Sequence, residues 1–185
     1  MLDKIIVHAF GEVDIDLIEA VSLAVEERFS ITSTIGQRFL VPAQSYSRER
    51  DQYRSTEFLN VLAGHDGTHI KLGITNVDLF VPELNFVFGE ASGTLRAAVF
   101  SIVRLDPRAY GEPENEALLM RRATTEAVHE LGHVFGLGHC KQRGCVMWFS
   151  NMLSETDRKG SEFCEQCARL LYSGTTRRSS SHAIQ

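Results

Sequence analysis

Residues 129–167 of this 185-residue chain hold all four of its cysteines and three of its seven histidines. The first group reads H-E-x-x-H-x-x-G-x-x-H, from His129 and Glu130 through His133 and Gly136 to His139. On an α-helix, His129 and His133 lie one turn apart and project from the same face. Two imidazoles so placed can hold one zinc ion, with Glu130 near enough to polarise a water on it. A catalytic zinc site takes three protein ligands and an open position, and His139 is the natural third. Gly136 lets the chain leave the helix sharply, because glycine reaches the left-handed conformation that other residues avoid. By chance, this set would arise in on the order of 10⁻⁴ of shuffled sequences, so the metal-binding reading is preferred.

The second group is Cys140, Cys145, Cys164 and Cys167, spaced C-x4-C and then, after eighteen residues, C-x2-C. Four thiolates suit a closed, structural zinc site. Disulfides would need an oxidising compartment, which nothing in the sequence indicates. A redox C-x-x-C at Cys164 and Cys167 would leave Cys140 and Cys145 unexplained. These two readings, and four unliganded thiols, stay open beside the zinc site.

The combined pattern resembles that of the archaemetzincins, a branch of the metzincin zinc peptidases with an additional cysteine-bound zinc. His139 is followed directly by Cys140, Cys145 precedes Met147 by two, and C-x-x-C follows after sixteen residues. The resemblance places His129, His133 and His139 on the catalytic zinc ligands, Glu130 on the general base, and the four cysteines on the second zinc. It also places Met147 on the methionine of the turn beneath the catalytic metal. The gap from Met147 to the last cysteine pair is about one residue shorter than the family's usual gap, a difference that a loop can absorb. The resemblance implies an α/β metzincin-like domain: a mixed twisted sheet with an antiparallel edge strand over an active-site helix, plus a C-terminal four-cysteine zinc element. It implies two zinc ions per chain, one catalytic and one structural, and a peptide or protein substrate.

The chemistry expected is hydrolysis of a peptide bond by a zinc-bound water that Glu130 deprotonates, the proton then passing to the leaving amine. The alternative is a zinc-containing peptide-binding or regulatory protein with little turnover. Substrate-binding residues and the oxyanion partner beyond zinc are not legible.

Several elements must position these groups. Residues 5–10 form an apolar run that predicts a buried strand. A helix is expected over residues 17–29, capped by Asp14 or Asp16, and a second strand over residues 30–41, closed by Pro42. The stretch of residues 45–54 reads as a solvated helix start with aromatic packing (Tyr46, Tyr53, Arg48, Arg50), leading into a helix to Leu62. His65 and His69 flank Asp66 and Gly67, which predict a turn rather than a metal pair; His8 is expected to be a core or edge histidine. The resemblance would make residues 85–88 the antiparallel edge strand, able to take up an extended peptide. Residues 89–93 read as a glycine-bracketed loop and 95–103 as a strand. The active-site helix is expected over residues 114–135, with Glu126 a surface glutamate, and a last helix over 162–172.

One catalytic domain over residues 1–173 and a flexible tail over 174–185 are expected. The formal net charge of −5 argues against a nucleic-acid surface. Lys141, Arg143, Arg158 and Lys159 are interleaved with Glu155, Asp157 and Glu162, so they form no basic patch. No stretch approaches a membrane span, and no signal peptide is evident. A cytoplasmic location and a monomeric state are the resulting expectations.

Overall fold

The computed structural model describes residues 4–65, 68–150 and 152–180, with residues 174–180 described as backbone. The elements are β1 (Ile5–Phe10), α1 (Ile15–Phe29), β2 (Ser33–Phe39), β3 (Tyr46–Ser47), β4 (Gln52–Arg54), α2 (Ser55–Gly64), β5 (Ile70–Thr75) and β6 (Leu79–Phe80). They continue with β7 (Gly89–Ser92), β8 (Ala97–Ser101), α3 (Glu116–Val134), α4 (Leu153–Lys159) and α5 (Glu165–Ser180). The main sheet has the order β2-β1-β5-β8-β7, parallel except for β7, which runs antiparallel to β8 at the edge.

Alternation along the strands divides the apolar side chains between two layers. Val7, Ala9, Leu72, Ala98 and Phe100 face α1 and α3, whereas Phe10, Ala97 and Val99 pack with Phe58, Leu59 and Leu62 of α2. Covered on both faces, β5 is buried along its whole length, as a central parallel strand should be. Asp14 caps α1 by accepting from the Asp16 N–H at 2.8 Å. His8 lies in the core, its Nδ1 3.1 Å from the Gln37 carbonyl and its ring against Phe39. The turn expected at His65 to His69 includes Asp66 and Gly67, which lie outside the described residues.

Four sequence expectations are corrected. Residues 46–54 form the hairpin β3–β4 instead of a helix start: the Tyr46 and Tyr53 rings pack at a tilt, 5.1 Å between centroids, and Asp51 turns the chain at φ 51°. The antiparallel edge strand is Gly89–Ser92, one step after the segment expected. Residues 84–88 instead form a wall before it, joined to β6 by a bridge between Leu79 and Val87. A helix, α4, lies between the two cysteine pairs where no element was expected. The final helix continues to Ser180, past the expected start of the tail; residues 181–185 lie outside the described residues.

Candidate active site

Helix α3 starts at Asn115, whose side chain accepts from the Leu118 N–H at 3.0 Å. Its apolar face, including Ala123, Ala127, Val128 and Leu131, is fully buried against the sheet and α1. That burial leaves His129, Glu130 and His133 toward β7. The helix ends at Phe135, and Gly136 turns the chain at φ +90°, its N–H bonded to the His133 carbonyl at 2.9 Å. This is the turn that the glycine predicted, and it returns His139 to the other two histidines.

The three imidazoles converge, their ligand atoms lying within 4.8 Å of one another. His129 and His133 bring their Nε2 atoms to 3.2 Å, while the Nδ1 atoms are held from behind by the Val146 carbonyl at 2.7 Å and the Leu137 carbonyl at 2.8 Å. Such outer bonds direct Nε2 inward and fix the tautomer that a metal needs. Burial depresses all three imidazoles, with the charge of Lys159 acting in the same direction on each, so they are neutral donors. A tetrahedral ion at about 2.0–2.1 Å from each nitrogen would separate them by about 3.3–3.4 Å. The observed pair fits zinc.

Glu130 is buried at 6% exposure. Desolvation pushes its carboxyl well up, helped by Glu126 and Glu90 and opposed by Lys159. The approach of β7 to this side chain explains Gly89. A β-carbon there would lie 2.7 Å from both Glu130 Cγ and the Val99 carbonyl oxygen. The glycine that made this segment read as a loop is therefore a close-packing glycine in an edge strand.

Met147 is fully buried beneath the histidine helix. The four cysteines also gather, their sulfurs within 4.8 Å of one another. Cys140 and Cys164 stand 3.8 Å apart, far beyond the S–S bond of about 2.05 Å. About 3.8 Å is the edge of a tetrahedron centred about 2.3 Å from each sulfur, the zinc–thiolate distance. Cys164 is drawn down to about 7 by the Cys167 backbone N–H, whereas burial pushes the Cys145 and Cys167 thiols up. A central cation is what would hold four such sulfurs as thiolates.

Between sheet edge and helix lies a cavity of about 410 Å³. Phe86, Val87 and Phe88 wall it on one side, and the histidines and Glu130 on the other; Phe149, 4.7 Å from the His139 ring, stands at its mouth. Arg50 braces the wall, donating to the Leu84 and Asn85 carbonyls at 2.6 and 3.1 Å and lying over Phe80 at 4.4 Å. Arg104 lies 4.1 Å over Phe86 and pairs with Asp78.

Sequence reading missed two cavity residues. Glu126, expected at the surface, is 2% exposed, and Lys159, counted among interleaved surface charges, is 3% exposed. They pair at 3.2 Å, Thr156 donating to the same Glu126 oxygen at 3.2 Å. Glu126 could have been found from its position four residues before Glu130, on the same helix face. Nothing local marks Lys159, whose burial depends on how α4 docks on α3.

A sheet edge open to an extended chain, set over imidazoles arranged for one ion, defines a metallopeptidase domain of the metzincin class. A model of peptidase family M54 matches residues 21–173. The chain belongs to that family and is a zinc-dependent metallopeptidase. The archaemetzincin of Pyrococcus horikoshii is 46% identical over 130 residues, 69% of either chain. That of Methanocaldococcus jannaschii is 36% identical over 171 residues, 92% of this chain and 94% of its own. The crystal structure of archaemetzincin from Methanopyrus kandleri superposes with a TM-score of 0.84 at 36% identity, covering 95% of this chain and 97% of that one. The likeness read from residues 129–167 thus extends over nearly the whole chain. Among the described residues, no helix is long and apolar enough to cross a membrane.

Proposed function

We propose that Glu130 is the general base and acid of peptide-bond hydrolysis at a catalytic zinc held by His129, His133 and His139. The observation that carries this reading is the convergence of three neutral imidazoles beside a buried carboxylate. The zinc ion, when bound, supplies Lewis acidity to the scissile carbonyl and to the attacking water. Glu130 accepts one proton from that water and delivers it to the amine nitrogen as the C–N bond breaks, which returns the carboxylate to its starting state. Met147 supports the histidines from below. The edge of β7 offers N–H and C=O groups to the substrate backbone, aligning the bond for attack.

A second zinc, held by Cys140, Cys145, Cys164 and Cys167, is structural in this reading, making two ions per chain. The unbridged thiols suit a reducing, cytoplasmic location. Residues 1–173 act as one catalytic unit, monomeric by default. The acidic charge balance favours peptides over nucleic acid as partners.

The test is cleavage of a mixed peptide library by zinc-loaded protein beside Glu130→Gln, with metal content measured on both. Turnover should fall by about 10²–10⁴ in the variant while zinc is retained. Equal cleavage by both removes Glu130 from the mechanism. No cleavage by either, with zinc bound, favours the peptide-binding alternative.

A further inference from the structure

The active-site cavity carries more hydrogen-bond donors than its own walls use. Glu126 accepts from Lys159 and Thr156, and Glu90 accepts from the Ser55 and Thr56 hydroxyls. Glu130 is committed to the reaction. Each wall carboxylate is therefore supplied or employed. Lys159 is in a different position: its ammonium carries three N–H donors, and among the described residues it has one partner, Glu126. Its side chain is 1% exposed and lines the cavity. The Ser150 hydroxyl also lines the cavity, and its oxygen is buried with no partner among the described residues. Buried polar groups ordinarily have partners, and a pair left over in a cavity calls for a ligand group that supplies them.

We propose that this cavity contains a carboxylate-binding subsite, in which Lys159 and Ser150 hold an acidic group of the peptide substrate. The unmet capacity consists of an ammonium and a hydroxyl, which together suit an anionic oxygen acceptor. A cationic side chain would have to displace Lys159 from Glu126 in a site where the charge of Lys159 already reaches all three imidazoles. An aliphatic side chain would fill the space and leave both donors unmet, the arrangement by which a polar pocket rejects an apolar analogue. Lys159 remains on Glu126 while it binds. That pairing holds the ammonium in one place and lowers the cost of ordering it when substrate arrives. The carboxylate has two possible sources in a peptide, an Asp or Glu side chain or the free C-terminus.

The inference rests on the peptidase reading, and the test separates the two. Zinc-loaded enzyme is given matched peptides carrying Glu or Gln, and Asp or Asn, at each position around the cleaved bond, each with a free and with an amidated C-terminus. One position should favour the carboxylate over its amide by about tenfold or more in kcat/KM, chiefly through KM. Preference that survives amidation identifies a side chain, and preference that disappears identifies the C-terminus. Lys159→Met should bring the ratio to within about twofold, Lys159→Arg should retain most of it, and Ser150→Ala should reduce it by about threefold. Because Lys159→Met leaves Glu126 buried without its cation, the same ratio is also read in Lys159→Met combined with Glu126→Gln. Glu130-dependent cleavage that ignores the carboxylate, prefers Lys or Arg, or keeps its acidic preference in both Lys159→Met backgrounds overturns the subsite alone. Absence of cleavage by the wild-type enzyme overturns the peptidase reading and the subsite with it.

Discussion

Gly132 exists as a glycine because of Met147. A β-carbon on Gly132 would collide with the Met147 sulfur and lie 3.0 Å from its terminal methyl carbon. Met147 is fully buried, so making room would require its side chain to shift within the packed core. The methionine is thus seated against the backbone of the helix between His129 and His133, and the two positions must change together.

Gly132→Ala is accordingly expected to destabilise the protein by about 1–3 kcal/mol, the range for overpacking a tight core. Thermal unfolding of the zinc-loaded protein measures it. A companion Met147→Ala change should relieve part of the loss, and strict additivity of the two would show that the contact is not the cause.

The cysteine site and the histidine site share backbone. The Cys140 N–H donates to the Met147 carbonyl at 2.8 Å, and Val146 links the Glu162 carbonyl at 2.8 Å to His129 Nδ1 at 2.7 Å. Cys164→Ser is therefore expected to weaken zinc binding at the histidines by about 10-fold or more, the usual scale for losing an outer support. Competitive titration with a chelator would read both sites, and an unchanged histidine-site affinity would show the two to be independent.

Docking of α4 on α3 depends on Arg122, which is 6% exposed and donates to both Asp157 oxygens at 2.8 Å. The Arg122 hydrogen bonds hold the Asp157 carboxyl below its ordinary range. A carboxylate with a depressed folded pKa stabilises the fold above its unfolded value of about 3.9, and that contribution is lost as pH falls through the folded value. Asp157→Ala should lower stability by about 1–3 kcal/mol at pH 7. Denaturation across pH should show wild type and variant converging below about pH 3.9. A gap that stays constant into acid would exclude the ion pair as its origin.

Arg50 touches the active site only through the wall of residues 84–88. Arg50→Ala removes two carbonyl contacts and the stacking on Phe80, so the wall loses its brace. A fall of about tenfold in kcat/KM is expected, carried mainly by KM, since small displacements of positioning elements have effects of this order. Steady-state kinetics on one good substrate decide it; a loss confined to kcat would place Arg50 in the chemistry instead.

The sequence by itself determined which residues are the candidate metal ligands and the local turn that joins them. His129 and His133 are related by helical periodicity, and Gly136 by the φ that only glycine adopts readily; both are properties of a few neighbouring residues. A continuous apolar run likewise made β1 legible, and helical apolar spacing made α1 and α3 legible, with a capping aspartate at the start of α1. Tertiary structure decided what depends on contacts distant in the chain. Gly89 looked like a loop residue until Glu130, forty-one positions later, came to occupy the space of its missing side chain. Glu126 and Lys159 looked like surface charges because each, taken alone, is too costly to bury. They are buried because α4 folds back onto α3, with Arg122, Asp157 and Thr156 completing the contacts. A one-dimensional pattern reports which groups can hold a metal, whereas the surroundings of those groups are set by packing between distant segments.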